Sequence, residues 1–124
     1  MTDKIALITG ASRGLGAALA MELSSRGATL MLSARREDRL AAVADGVAAR
    51  GHPRPAVLPM DVADLDTLEA KAAQAQDALG HIDVLLCSAG IGQRTSAIMT
   101  SAEAHRNIMR TNFEGSVALT RGVL

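Results

Sequence analysis

Tryptophan and tyrosine are absent from the 124 residues and phenylalanine occurs once, at Phe113, so any core must be built from Ala, Val, Leu, Ile and Met. That material suits helices packed closely on a sheet of branched side chains. Cysteine also occurs once, as Cys87, which excludes an internal disulfide framework. His52, His81 and His105 stand far apart without ligand-like spacing, so no zinc site is expected. Net charge is missing too: 13 basic residues offset 13 acidic ones, with the two signs interspersed. No field of one sign is therefore available to draw in nucleic acid or a membrane surface. A small, locally compensated anion stays compatible with this balance. The apolar stretch Ile5 to Ile8 is too short for a signal-peptide core or a membrane span, and a cytoplasmic address follows as the expectation.

Against these absences stands a regular alternation. Lys4 to Thr9 is a short apolar run ending at Gly10, after which the spacing turns helical, with Leu15, Ala18, Leu19 and Leu23 on one side and Gly27 as the stop. Ala28 to Ser33 is a continuous apolar run, as expected of a strand covered on both faces. A helix over Arg36 to Arg50 follows, stopping before Gly51 and Pro53, and Pro55 to Met60 reads as a third strand. Leu65, Leu68, Ala72, Ala75 and Leu79 recur at three- and four-residue intervals behind Asp64, a good N-cap. Ile82 to Cys87 is the fourth apolar run, and it breaks at Ser88-Ala89-Gly90. Thr100 and Glu103 have capping-box spacing for a last helix running to the end of the chain. Cys87 is expected as a small buried hydrophobe, the six methionines as core filler and His105 as a surface residue.

Strands alternating with helices at this spacing predict βαβ units in one domain over residues 1–124: an α/β, doubly wound, Rossmann-type parallel sheet. Right-handed crossovers give the strand order 3-2-1-4. The fourth strand would then lie at an edge despite its apolar sequence, which suggests that more sheet belongs beside it.

The turn after the first strand reads Thr9-Gly10-Ala11-Ser12-Arg13-Gly14-Leu15-Gly16. Glycines before a helix let the backbone turn and let a pyrophosphate approach free N–H groups at the positive end of the helix dipole. At the end of the second strand, Ser33-Ala34-Arg35-Arg36 carries no acid to accept hydrogen bonds from the ribose hydroxyls of NAD. Arg35 could instead hold a 2′-phosphate, with Arg13 in reach, so NADP(H) is the expected cofactor. Arg36 and Arg39 read better as ordinary surface arginines. Asp61 is either a turn former or a nucleotide contact, and Asn112 shares a stripe with Ile108, Gly115 and Leu119 and should have a partner.

The pattern Thr-Gly-x-x-x-Gly-x-Gly resembles the fingerprint of the short-chain dehydrogenase/reductase family, and the resemblance covers essentially the whole chain, in the order and spacing of the family's N-terminal half. It implies that Gly10, Ser12, Arg13, Gly14, Leu15, Gly16, Ser33, Arg35, Asp61, Val62, Ser88, Ala89 and Gly90 bind the cofactor. Asp61-Val62 resembles the adenine-contacting pair, and Ala89-Gly90 the tail of Asn-Asn-Ala-Gly. Asn112 with Gly115 resembles the Asn-x-x-Gly of the long helix, whose asparagine serves a proton relay. Cys87-Ser88 departs from the pattern, the cysteine costing an amide. The family's chemistry also needs a Ser and a Tyr with a Lys four residues later; no tyrosine occurs here, and Lys4 and Lys71 fall in other elements. The expectation is therefore the N-terminal, NADP(H)-binding part of a larger oxidoreductase that acts on a small carbonyl or alcohol. A non-catalytic nucleotide- or partner-binding module is the alternative, and a methyltransferase is disfavoured by Arg35. The resemblance also implies homo-oligomerisation through the helix around Asn112 and Phe113. Gly92 to Met99 is expected as one wall of the cleft at the strand ends, where ligands enter such sheets.

Overall fold

The computed structural model describes residues 2–92 and 95–124. Four strands, β1 (Ile5–Thr9), β2 (Thr29–Ala34), β3 (Ala56–Pro59) and β4 (Val84–Cys87), alternate with helices α1 (Gly14–Ser25), α2 (Glu37–Ala49) and α3 (Leu65–Leu79). After β4 the chain forms α4 (Ala102–Met109), a π-helical turn (Arg110–Glu114) and α5 (Gly115–Val123). The sheet is parallel with order β3-β2-β1-β4, as the sequence predicts.

The continuous apolar strands bury both faces. Ala6, Ile8, Leu30 and Leu32 point to one side, where they meet Ala20 of α1 with Leu40 and Ala44 of α2. Leu7, Met31 and Leu58 point to the other, against Leu68, Ala72 and Ala75 of α3 and Leu119 of α5. Helices α3 and α5 are tied further by Gln76, whose Nε2 donates to the Val123 carbonyl at 2.9 Å. Among the described residues, no helix is long and apolar enough to cross a membrane.

Several local expectations are corrected. Helix α1 turns Gly16, Ala20 and Ser24 to the sheet; Leu19 and Leu23 pack at its flanks, while Leu15 and Ala18 are exposed. Small residues let this helix lie close to the strands, and closeness rather than leucine content chooses the buried face. Asp64 occupies the N-cap position of α3 without a side-chain cap bond. Helix α4 is capped by Ser101, whose Oγ accepts from Ala104 N at 3.1 Å, instead of by the expected Thr100–Glu103 box. Thr100 is buried one residue earlier, and its hydroxyl donates to the Ser96 carbonyl at 2.8 Å. Met31 and Met60 are core, whereas Met99 and Met109 are exposed. Cys87 is exposed rather than buried, because it ends β4, which among the described residues is an edge strand paired with β1.

The start of β4 is fastened to β1 at two points. Asp83 N donates to the Ile5 carbonyl at 2.8 Å, and Ile5 N donates to Asp83 Oδ2 at 2.9 Å, an oxygen that also meets His81 Nε2 at 3.2 Å. The Ile5 N–H holds the Asp83 carboxyl below the usual carboxylate range; it outweighs desolvation, the next largest effect, with lesser help from the nearby charges of His81 and Lys4. A native pKa below the unfolded one contributes stability above the unfolded value, about 3.9, that is lost as pH falls through the native value. We therefore expect Asp83→Asn to lower the urea midpoint at neutral pH. Between about pH 5 and pH 2 the variant's midpoint should fall less than that of the parent chain, in denaturation curves recorded across the acid range.

Candidate functional site

The C-terminal ends of all four strands open into one cleft of about 540 Å³, where ligands enter open α/β sheets. Its floor is the turn from β1 to α1. Gly10 adopts φ +64°, and a Cβ there would lie 2.6 Å from Ala89 N, so only glycine lets this turn press against the segment after β4. A Cβ on Gly16 would collide with the Gly10 carbonyl oxygen, which sets the depth at which α1 docks. Arg13 holds the N-cap position of α1 in extended conformation without a side-chain cap, and the first turn contains no acid. Among the described residues, the N–H groups of Gly14, Leu15 and Gly16 meet no protein acceptor. Unpaired N–H groups at a helix start favour an anion.

Thr9 fixes the opposite wall. Its buried hydroxyl donates to the Leu86 carbonyl at 3.4 Å and accepts from Ser88 N and Ala89 N, each at 3.2 Å. Ser88 N has a second acceptor in the Leu86 carbonyl at 3.2 Å; Ala89 N has none other among the described residues. Behind this wall Asn112, in the π-helical turn, accepts from Ile91 N at 2.8 Å and donates from Nδ2 to the Ile91 carbonyl at 2.7 Å. The partner expected for Asn112 is thus Ile91.

All 13 candidate cofactor residues line the cleft: Gly10, Ser12, Arg13, Gly14, Leu15 and Gly16 from the first turn, Ser33 and Arg35 from the end of β2, Asp61 and Val62 after β3, and Ser88, Ala89 and Gly90 after β4. Asn112 is not in the lining; it touches the cleft through Ile91, which is. Leu15, misassigned to the core stripe, stands exposed at the cleft. Ser33 is buried and donates its hydroxyl to the Leu58 carbonyl at 2.6 Å, so its proton is committed inside the sheet. Asp61 forms the turn that its residue type suggests, Oδ1 accepting from Ala63 N at 2.9 Å, while still facing the cleft.

Not anticipated from the sequence are Thr9 as an anchor and Arg36, Arg39, Asn107 and Thr111 in the lining; both arginines, expected as ordinary surface residues, border the cleft. Asn107 and Thr111 are one helical step apart, and the next step, Gly115, packs on the Val62 carbonyl. That small residue was the available signal for which helix stripe faces the site. Of the expected wall from Gly92 to Met99, Gln93 and Arg94 lie outside the described residues, and none of the described ones is in the lining, which passes from Ile91 to Asn107 and Thr111.

The arginines differ. Arg36 reaches Asp38 through two bonds, 3.1 Å from Nε to Oδ1 and 2.8 Å from the terminal nitrogen to Oδ2. The hydrogen bonding, with the mutual charge, raises the Arg36 pKa and lowers that of Asp38. Arg13, Arg35 and Arg39 form no ion pair among the described residues.

Comparison with known proteins gives consistent matches. A family model described as short chain dehydrogenase matches residues 4–124. A dehydrogenase/reductase SDR family protein 7-like from Anopheles gambiae is 38% identical over 129 residues, covering 100% of this chain and 40% of the relative. A short-chain type dehydrogenase/reductase from Mycobacterium marinum superposes with TM-score 0.91 at 32% identity, over 98% of this chain and 49% of the other. An alcohol dehydrogenase from the archaeon Thermococcus sibiricus, complexed with 5-hydroxy-NADP, gives TM-score 0.91 at 29% identity, over 97% and 51%. The chain thus spans well under two thirds of each of these proteins.

The Thr9 hydroxyl is testable on its own. Thr9→Val keeps the shape but leaves Ala89 N without an acceptor, and should cost about 1–3 kcal/mol, read as a lower Tm by circular dichroism. Thr9→Ser retains the oxygen and should lose less; equal midpoints for the two variants would show that these bonds carry no weight.

Proposed function

The chain belongs to the short-chain dehydrogenase family, and from that membership we propose that it forms the NADP(H)-binding part of an oxidoreductase interconverting a carbonyl and an alcohol. The observation that carries this reading is convergence: motif residues from four separate strand ends line one cleft of about 540 Å³, within the usual range for small-molecule and cofactor sites. Gly10, Ser12, Arg13, Gly14, Leu15 and Gly16 receive the pyrophosphate on the free N–H groups at the start of α1. Ser33, through its backbone, and Arg35 meet the adenosine ribose, Arg35 and Arg13 taking its 2′-phosphate by charge-assisted bonds. Asp61 and Val62 border the adenine, and Ser88, Ala89 and Gly90 back the dinucleotide.

When bound, the nicotinamide supplies or accepts the hydride. This chain's own residues bind and orient the cofactor; without a tyrosine, they offer no tyrosyl general acid. Asn112 serves as a positioning residue, since both heteroatoms of its carboxamide are engaged by Ile91. The substrate of the whole protein is a small carbonyl or alcohol compound. Balanced charge and one unpaired cysteine suit a cytoplasmic setting.

Self-association belongs to the same reading. Met109, Phe113 and Val117 are exposed at 53%, 57% and 43% and recur every four residues along the helical segment from α4 to α5. They supply an apolar stripe for a second copy. Phe113→Glu should reduce the mass measured by light scattering, and an unchanged mass would remove this stripe as the interface. The cofactor reading is tested by calorimetric titration with NADPH and NADH. The parent chain should bind NADPH more tightly, and Arg35→Glu should weaken NADPH about 10- to 100-fold while leaving NADH unaffected. An unchanged preference would refute it.

A further inference from the structure

The apolar strand β2 carries a serine just before its last residue. Ser33 is 1% exposed, and strand alternation puts its side chain on the face of Met31, in the layer that also holds Leu58 and Met60. A hydroxyl costs free energy in such a layer unless a partner is supplied, and an alanine would carry no such cost. The partner is specific: Ser33 Oγ donates at 2.6 Å to the carbonyl of Leu58, the residue paired with it across the β2–β3 ladder. The main chain of the same residue reaches the other neighbour, its carbonyl accepting from Ala11 N, in the turn after β1, at 3.1 Å. One residue on, the Ala34 carbonyl accepts from Met60 N at 2.9 Å, immediately before Asp61 and Val62 enter the cleft.

Ser33 thus joins two parts of the cleft that lie far apart in sequence, the glycine turn after β1 and the segment after β3. A ligand that touches one part alone is indifferent to the distance between them. A ligand that spans both gains when that distance is fixed beforehand, because its second contact is then made within reach of the first. We infer that Ser33 is a positioning residue: from inside the sheet, its hydroxyl fixes the span between the turn that takes the pyrophosphate and the end of β3 that borders the adenine. This rests on the cofactor reading above, and on its adenosine diphosphate half alone. The hydroxyl serves the strands and makes no bond to the ligand, which explains why a polar side chain is buried at this point of an apolar strand.

Adenosine diphosphate spans both parts, whereas inorganic pyrophosphate and adenosine each reach one, so titrations with the three probes, followed by NMR, read the span itself. The parent chain should bind adenosine diphosphate more tightly than either fragment. Ser33→Ala should weaken adenosine diphosphate about five- to tenfold and change pyrophosphate and adenosine by no more than about twofold. Ser33→Thr, which keeps the donor, should stay within about twofold of the parent for all three. Val47→Ala, a truncation in the buried face of α2 outside the cleft lining, is the control for stability: it should lower Tm and leave all three affinities unchanged. If Ser33→Ala binds adenosine diphosphate as the parent does, or loses pyrophosphate to the same degree, the positioning role is overturned while the cofactor reading stands. An equal loss in Val47→Ala overturns it as well, since instability alone would then account for the effect. A parent chain that binds no adenosine diphosphate overturns the cofactor reading and the role of Ser33 together.

Discussion

The site depends on how closely two backbone segments that are far apart in sequence can approach. The turn after β1 and the segment after β4 meet at Gly10 and Ala89, where a Cβ on the glycine would stand 2.6 Å from a backbone nitrogen. Bringing peptide groups that near without a side chain between them leaves polar atoms out of reach of water, and such atoms need partners. The Thr9 hydroxyl supplies them, accepting two N–H groups at 3.2 Å from the other segment. Glycine permits the contact and threonine satisfies it. The floor and one wall of the cleft are thereby locked before any ligand enters, so binding need not first order the chain there.

The remainder of the fold supports that junction from both sides. Ile8, Ala20 and Leu32 belong to one apolar layer, and Leu7, Met31 and Leu119 to the other, so β1 is clamped between two cores. The strand that carries the glycine turn is thus well anchored, while polar groups are displaced to its C-terminal end. This arrangement brings to one rim of a molecule whose formal net charge is zero the N–H groups of Gly14, Leu15 and Gly16 and the guanidinium groups of Arg13, Arg35 and Arg39, none of which has a protein partner among the described residues. The charge balance at that rim is local, set by where Asp38 and Asp61 point as much as by where the arginines lie.

The sheet order was legible in the sequence because each strand ends where the apolar run meets Gly, Ser or Asp, and right-handed crossovers then bring those ends together; the 13 residues that line the cleft came from the motif resemblance. What could not be read depends on contacts distant in sequence or on side-chain direction. Thr9 bonds to residues 79 and 80 positions away, and Asn112 to one 21 positions away. The buried face of α1 is chosen by how near the helix lies, which a count of leucines misses. The cap of α4 moved by one residue because Thr100 was already engaged with Ser96. The π-helical turn at Arg110–Glu114 breaks the helical period without a glycine or proline to announce it.

The pairing of Asn112 with Ile91 has a further consequence. A carboxamide carries the same donor and acceptor as a peptide group, and here it meets the N–H and C=O of one residue as a neighbouring strand would. A helix side chain therefore acts as a one-residue strand, extending ladder-like pairing to a stretch of chain that has left the sheet. Only an amide of this length can both give and take at that spacing; a carboxylate could not donate and a longer amide would overshoot. The cleft wall at Ile91 and the helix at Asn112 are consequently joined by two hydrogen bonds, so a displacement of the helix must either carry the wall with it or break both.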